Sequence, residues 1–336
     1  MYVKAKDHME GEPEFTSTRR EATGKQIALN PMVREMLVAT GRALHPVAIQ
    51  QKLKMAGITA SYMNCVHALR RLHLEFFGSD ADQYTLLPSY IDELNRRGHK
   101  TNIELTGGVF KRAWIAFREG IEAYTPYHER GMAVDGTSLK TSIGGVLQVA
   151  CFRNGNIEIQ IVGVGVIAVE NEDNWTWFLA NLLPRLRPLP AFLISDRDKG
   201  LVNATKATAP DIPHFYCFQH LMENFNKKFK SKQLKALAWA VARARTVLEY
   251  NGAAADLSAM NESATKWLQE IGKEKWATAY SPCTRFNTLT SNNVESVNGA
   301  LKGIRSLPIL DCLMEIERYV VRKWMENTKR RIYGVS

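Results

Sequence analysis

The sequence predicts an α/β protein built around a mixed β-sheet, and three observations support this. Residues 131–169 contain three consecutive segments rich in β-branched and apolar residues, which is typical of buried strands. Helical and strand-like segments alternate after residue 173. A block at residues 221–279 is then helical in pattern throughout. Three antiparallel strands followed by alternating helices and strands indicate a mixed sheet with an all-helical insertion.

The length of the chain predicts more than one domain. At 336 residues it exceeds what a single hydrophobic core usually supports. We assign residues 1–23 to a flexible N-terminus because they are polar, and residues 24–125 to a helical N-terminal domain. Residues 126–331 form the main α/β domain, with the helical insertion at about 221–285.

Composition narrows the class of protein. The chain has 44 Lys and Arg against 34 Asp and Glu, a net charge of +10, which favours a polyanionic partner but also fits a merely basic soluble protein. Its five cysteines are an odd number at wide spacings, so we expect a reducing compartment and no disulfide framework. No segment is apolar for long enough to span a bilayer or serve as a signal peptide, and we expect an intracellular protein without a membrane partner.

The first three strands carry one acid. The apolar residues before Asp135 lead directly into that carboxylate, which we place at or near a strand end. The second strand is predicted at Val146–Phe152 and the third at Ile157–Val169. The Asn-Gly pair at 154–155 between them is a strong hairpin signal. The third strand is apolar at almost every position, which indicates a central strand covered on both faces.

A second acid follows a later strand. The pattern predicts a helix at Asn174–Leu186 and a short strand at Ala191–Ile194 that runs into Asp196. A helix at Leu201–Thr208 and a strand at Ile212–Phe218 come next. Asp198 competes with Asp196 for a role at this strand end, and the position nearer the apolar run favours Asp196.

The N-terminal region is predicted to contain three short helices, at Pro31–Thr40, Pro46–Ala56 and Tyr62–Leu74. Short helices separated by a glycine-containing turn fit a helix-turn-helix motif that binds DNA. Arg70 and Arg71 lie on the third helix and are its candidate DNA contacts. A small helical bundle without a DNA role fits the same pattern.

The segment between the two predicted domains is less regular. Residues 78–94 are partly helical in pattern, and Pro88 is expected to start a helix rather than lie inside one. Residues 96–102 are polar and are predicted to form a linker. Residues 110–124 fit either a strand or a helix, and the sequence leaves that choice open.

The helical block begins with a cluster of lysines that includes Lys227, Lys228 and Lys230. Such a cluster contacts phosphates in nucleic-acid-binding proteins, although it also fits a solvated helix face. After the block, Ser291 and Asn292 are residue types that cap helices, so Glu295 is expected in the first turns of a helix.

Three acids far apart in sequence can form one metal site. Asp135, Asp196 and Glu295 would together hold two divalent ions, because Mg²⁺ prefers carboxylate oxygens. Two ions about 4 Å apart activate the attacking oxygen and stabilise the leaving oxygen in phosphoryl transfer. Solvated acids at strand ends are common, so each acid alone is weak evidence.

These residues lie in motifs that resemble those of the Mutator-like element (MULE) transposases. The motifs are DGTSLK, ENEDNWTWFL, SDRDKGL, CFQHL and NNVESVN in this order, and the similarity extends over about residues 60–331. The resemblance implies a ribonuclease H-like domain of the DDE type, with Asp135, Asp196 and Glu295 as its acids and two Mg²⁺ or Mn²⁺ ions as cofactors. It also implies a nuclear protein that binds double-stranded DNA, at the terminal repeats of the element and at the target, as a homo-oligomer.

The resemblance also implies a Cys-x-x-His motif after the second acid, which Cys217 and His220 match. It suggests that these two residues orient DNA near the cleavage centre. They also look like half a zinc site or a buried thiol beside a hydrogen-bonded histidine. The predicted function is metal-dependent cleavage of transposon ends and strand transfer into target DNA. The alternatives are a transposase-derived DNA-binding regulator without catalysis and a ribonuclease H-like nuclease.

Overall fold

The structure is a computed structural model that describes residues 21–41 and 44–333, without the side chains of residues 329–333. The chain divides into two compact units, Met1–Ser79 and Asp80–Ser336. The two units divide after Ser79, whereas the sequence analysis placed a domain boundary near residue 125. Of the segment 1–23, which was predicted to be flexible, residues 1–20 lie outside the described residues.

The first unit contains four helices in its described part: α1 (Gly24–Leu29), α2 (Pro31–Thr40), α3 (Pro46–Met55) and α4 (Tyr62–Phe77). Helices α2, α3 and α4 correspond to the three predicted ones. Thr23 and Gln26 form a capping box that starts α1, and Ser61 caps α4. Val33, Ile49 and Leu72 are among the fully buried residues of the core that these helices share.

The second unit is organised around a seven-stranded mixed sheet, which confirms the predicted α/β class. Its strands are β1 (Lys100–Thr106), β2 (Val109–Ala116), β3 (Met132–Ser138), β4 (Val146–Arg153), β5 (Ile159–Ile167), β6 (Leu193–Ser195) and β7 (His214–Tyr216). Their order across the sheet is β1-β2-β5-β4-β3-β6-β7. Strands β3, β4 and β5 pair antiparallel as predicted, whereas β6 and β7 add to β3 in parallel.

Residues 96–125 differ from the sequence-based prediction. The predicted linker at 96–102 contains the start of β1, which forms the edge of the sheet. Polar and charged residues are tolerated there because an edge strand is partly solvated. The open choice at 110–124 resolves into β2, which pairs with β5, followed by α6 (Arg118–Tyr124). Strands β1 and β2 thus complete the sheet instead of belonging to a helical domain.

Helices cover both faces of the sheet. One face packs against α5 (Asp80–Arg96) and the C-terminal helices, and the other against α7 (Glu172–Leu182) and α8 (Lys199–Thr208). Pro88 lies inside α5 rather than at its start. We attribute the continuity of the helix across Pro88 to Leu87, Ile91 and Leu94, which are fully buried in the core.

The predicted helical block has a core of its own. Its helices are α9 (Phe218–Phe229), α10 (Lys232–Arg243), α11 (Val247–Met260) and α12 (Glu262–Glu270). Phe218, Phe225 and Trp276 anchor this core. The chain then returns to the sheet through α13 (Asn292–Ala300) and α14 (Ile309–Tyr333). Short 3-10 segments occur at Thr125–Arg130, Leu183–Arg185, Lys273–Lys275, Thr278–Tyr280 and Ile304–Ser306.

Two further properties of the described residues bear on the sequence analysis. All five cysteines are free, in agreement with the absence of a predicted disulfide framework. In the part of the chain that is described, no helix combines the length and the apolar character needed to cross a membrane.

Candidate active site

Asp135 lies on β3, and Asp196 directly follows β6, the neighbouring parallel strand. Met132 and Ala133 of β3 pair with Leu193 and Ile194 of β6. Continued two residues further, this register places Asp135 opposite Asp196, the first residue after β6. Neighbouring strands are about 4.8 Å apart, so the two carboxylates belong to one cluster. Asp135 is the fourth residue of β3 rather than its last, since the strand continues to Ser138.

Glu170 is a third acid in this cluster. It follows β5 and precedes α7, and its Oε1 would lie 2.6 Å from a Cβ atom built on Gly136. The carboxylate therefore occupies the space that a side chain at position 136 would need. Trp175 Nε1 donates a hydrogen bond of 2.9 Å to the same oxygen and fixes its position. Burial and the nearby charges of Asp196 and Asp198 raise the pKa of Glu170.

The electrostatics of Asp135 reflect this crowding. Burial, together with the negative charges of Asp196 and Glu170, raises the pKa of Asp135 to about 7. Its Oδ2 accepts a hydrogen bond of 3.0 Å from Asn298 Nδ2 on α13, which is a neutral donor. The cluster thus holds more negative charge than its protein neighbours offset.

A network around Asn298 fixes α13 against β3. Arg305 Nη2 donates to the Asn298 carbonyl oxygen at 3.2 Å, and Arg305 Nη1 donates to Thr137 Oγ1 at 2.5 Å. Arg305 also donates to the Ser138 carbonyl oxygen at 2.7 Å. These contacts hold α13, which carries Glu295 in its first turn, against β3.

Cys217, His220 and Glu295 form the other side of the site. Among the described residues they are the one group of three potential metal ligands whose ligand atoms all lie within 4.8 Å of one another. His220 Nε2 is 4.0 Å from Glu295 Oε1. The three predicted acids do not converge to that distance, and in this structure Glu295 faces His220. Glu295 is thus a third potential metal ligand beside the Cys217–His220 pair.

Cys217 and His220 shift each other's pKa. The hydrogen bond with Cys217, assisted by the charges of Glu295 and Asp196, raises the pKa of His220 to about 9. Burial opposes ionisation of Cys217, but hydrogen bonds from His220 and Ser291 lower the pKa of its thiol below the ordinary value. His220 is therefore cationic at neutral pH and lies between carboxylates of both sides of the site.

Two residues near the site have structural tasks. Asp198 caps α8, because its Oδ1 accepts the Leu201 N–H at 2.9 Å. Its own N–H donates to Asp196 Oδ1 at 3.0 Å, which orients the second acid. Ser291 is the N-cap residue of α13 and Glu295 lies in the first turn, as predicted, although the Ser291 hydroxyl makes no cap hydrogen bond. Its N–H donates instead to Cys217 Sγ at 3.2 Å.

The predicted DNA-contacting residues are all exposed. Arg70 and Arg71 lie on the solvent face of α4. Lys227 and Lys228 occupy the last turn of α9, and Lys230 caps it in a left-handed conformation with a φ of 50°. The acid cluster and the lysines belong to the second unit, whereas the two arginines belong to the first.

Sequence reasoning missed Glu170 and Asn298. Both lie in motifs that the sequence analysis singled out, ENEDNWTWFL and NNVESVN. Glu170 follows a buried strand, as Asp196 does, so the same argument could have identified it. Asn298 follows Glu295 by three residues and lies on the same helix face, but nothing in its spacing indicates a contact with Asp135.

Comparison with known proteins shows a family similarity over part of the chain. Residues 132–224 match the family model of the MULE transposase domain. This match confirms the resemblance to MULE transposases. The matched segment contains Asp135, Glu170, Asp196, Cys217 and His220, and it ends before Glu295.

A bacterial transposase is also similar to this chain. The transposase for insertion sequence element IS406 of Burkholderia multivorans is 25% identical over 223 residues, which make up 60% of this chain and 56% of that protein. The chain thus spans about half the length of the curated relative it matches.

Proposed function

We propose that this protein is a DNA transposase that cleaves the ends of its element and transfers the cut strands into target DNA. The observation that carries the proposal is the match to a MULE transposase domain over the segment that contains Asp135 on β3 and Asp196 directly after the adjacent strand β6. The order of three antiparallel strands followed by alternating helices and strands supports a ribonuclease H-like core. The helical block lies between the second acid and Glu295, as the resemblance implies.

The acid cluster suits two Mg²⁺ or Mn²⁺ ions. Carboxylate oxygens are the donors that hard divalent cations prefer. The raised pKa of Asp135, caused by burial and by Asp196 and Glu170, reflects negative charge that a cation would neutralise. When bound, such ions activate the attacking oxygen and stabilise the leaving oxygen of a phosphodiester. Asp135 and Asp196 would hold the ions, with Glu295 as the third acid.

Glu295 can serve as the third acid after a change of side-chain conformation. Its side chain is 40% exposed and lies 4.0 Å from His220, which leaves it space to turn. The backbone of α13 is already fixed beside β3 through Asn298 and Asp135. His220, which keeps its proton at neutral pH, would face the phosphate with a positive charge, and Cys217 would hold its ring in place.

Double-stranded DNA is the proposed partner, both at the element ends and at the target. The exposed Arg70 and Arg71 of the first unit, and Lys227, Lys228 and Lys230 of the second, are the proposed phosphate contacts. Assembly of a homo-oligomer on DNA and a nuclear location are further proposals from the resemblance. The replacement of Arg70 and Arg71 by Gln should weaken binding of the full chain to any duplex and reduce its salt dependence by about two phosphate contacts. Unchanged salt dependence in titrations from low to moderate salt would contradict this.

The decisive experiment uses labelled DNA that carries the sequences flanking the gene for this chain. With Mg²⁺ or Mn²⁺ the full chain should nick this DNA at the element ends and leave a 3′-hydroxyl, and with a chelator it should not. Binding to these ends without cleavage in either metal would favour the DNA-binding regulator. Cleavage of RNA in an RNA–DNA hybrid, but not of the DNA ends, would favour the nuclease.

A further inference from the structure

A second polar site lies outside the acid cluster, where the helical block connects to α13. A pocket of about 500 Å³ is formed there mainly by residues 278–287, and Arg245 contributes from the loop between α10 and α11. None of the nine described residues that line it is acidic. Two are arginines, Arg245 and Arg285, and the side chains of Thr278, Thr284 and Asn287 add uncharged hydrogen-bonding groups.

Arg285 is an unusual residue in this wall because it is buried and only partly satisfied. It is 3% exposed, and its guanidinium lies 4.1 Å from the ring centre of Phe215 on β7. Nε donates to the Thr288 carbonyl oxygen at 3.1 Å and Nη1 to the Trp276 carbonyl oxygen at 3.0 Å. Nη2 is buried without a hydrogen-bond partner among the described residues.

An unpaired buried donor calls for a physical explanation. Nearly all buried polar groups in folded proteins are hydrogen-bonded, because leaving one unpaired costs free energy. Burial lowers the pKa of Arg285 to about 10, so it stays cationic at neutral pH. An anion in the pocket would compensate this charge, which its uncharged neighbours do not.

Arg245 provides a second, exposed guanidinium. The nearest acid in sequence is Glu249, whose carboxylate is occupied by the capping of α11: Oε2 accepts the N–H groups of Arg245 at 2.7 Å and Thr246 at 3.3 Å. No described carboxylate forms an ion pair with the Arg245 side chain within 4.0 Å. A guanidinium presents several N–H donors in one plane, which matches the oxygens of a phosphate group.

We propose that this pocket is a phosphate-binding subsite that takes one phosphate group of a nucleic-acid strand between Arg245 and Arg285. Thr284 and Asn287 would donate to its remaining oxygens. Phe286 is 43% exposed next to the pocket, with the Arg130 guanidinium 4.9 Å from its ring centre, and provides a surface for the adjoining sugar or base. That the phosphate belongs to DNA rests on the proposed function. That the pocket binds a phosphate group does not depend on the proposed function.

The test compares Arg245→Gln with Arg243→Gln in the full chain. Both substitutions remove one exposed positive charge near the same helical block, but Arg243 stacks on Trp239 at 4.6 Å and does not line the pocket. The first probe is inorganic phosphate, which should raise the unfolding temperature of the unmodified chain and of Arg243→Gln, but not of Arg245→Gln. The second probe is a fluorescent DNA duplex of arbitrary sequence. Arg245→Gln should bind it about 3–10-fold more weakly, with a salt dependence reduced by about one contact, whereas Arg243→Gln should keep the original salt dependence.

Each outcome decides a different part of the proposal. Equal behaviour of the two variants with both probes would overturn the phosphate site. A loss of stabilisation by phosphate with unchanged DNA binding would overturn the assignment to nucleic acid and make the pocket a site for a small phosphate compound. Failure of the proposed function would appear separately, as absence of metal-dependent cleavage by the unmodified chain, and would leave the response to inorganic phosphate intact.

Discussion

The two sides of the candidate site balance their charges differently. On the sheet side, Asp135 and Glu170 receive hydrogen bonds from the neutral donors Asn298 and Trp175, and repulsion among the acids adds to burial in raising the pKa of both. On the helix side, Glu295 faces a histidine that keeps its proton. A cation would stabilise the acids of the sheet side, whereas on the helix side His220 already provides a positive charge.

Loss of an aspartate on the sheet side should have the largest effect. Asp135→Asn or Asp196→Asn removes a charged donor to the proposed ions, and we expect DNA cleavage to fall by at least about 10³-fold while DNA binding persists. The control is Asp211→Asn, an exposed acid outside the site. If either site variant cleaves DNA at the rate of the control, the proposal that Asp135 and Asp196 bind the metal ions is wrong.

The substitution Asp135→Asn should also stabilise the folded protein. The pKa of Asp135 is raised to about 7, so between about pH 4 and 7 the folded chain binds a proton that the unfolded chain does not. The free energy of unfolding gained from this group rises as the pH falls from 7 towards 4. Asp135→Asn should accordingly have a higher unfolding temperature than the unmodified chain at pH 8 without divalent ions, and Mg²⁺ should raise only the latter.

The comparison of Glu295 with Glu170 identifies the third acid. Glu295→Gln should lower cleavage by orders of magnitude if Glu295 turns from His220 towards the ions, whereas Glu170→Gln should lower it about 10-fold by weakening the negative field around Asp135. Rates of metal-dependent cleavage by the two variants, measured on the same DNA, decide between them. If the order of the two effects is reversed, Glu170 is the third acid and Glu295 belongs to the Cys217–His220 pair.

The charge of His220 can be measured directly. A histidine ring titration by NMR should give a pKa of about 9, with the signal assigned through His220→Gln. Stabilisation from this group is present below the ordinary histidine value and is lost as the pH rises through 9, since the folded-state pKa is raised. Cys217→Ser should move the pKa of His220 back towards 6.5. An unchanged pKa would show that the nearby carboxylates, rather than Cys217, keep His220 protonated.

The smallest effect is expected from the support of Glu170. Trp175→Phe removes the indole N–H that donates to Glu170 and should lower cleavage only a few-fold, with a loss of roughly 1–2 kcal/mol in the free energy of unfolding. Trp177→Phe is the matched control on the same helix, since Trp177 packs under Arg112 instead. Equal cleavage rates for the two variants would remove Glu170 from the functional part of the sheet side.

Much of this architecture could be predicted from local pattern. The apolar runs that end near Asp135 and Asp196 predicted the strands that carry both acids, because burial on both faces leaves a continuous apolar sequence. The capping residue types Ser291 and Asn292 predicted the start of α13 with Glu295 in its first turn, since helix capping is a local property. Family motifs then named the acids that periodicity alone left as candidates.

Tertiary structure decided which residues meet. Residues 100–102, which were predicted to belong to a polar linker, lie in a strand because β2 offers an edge to pair with. The strands β1 and β2 belong to the second compact unit. The contact of Asn298 with Asp135 joins residues far apart in the chain, and the position of Glu170 beside Gly136 depends on how β3 and β5 are arranged in one sheet. Sequence pattern reports which positions are buried, but a contact across the sheet depends on register and strand order, which are set by packing of the whole unit.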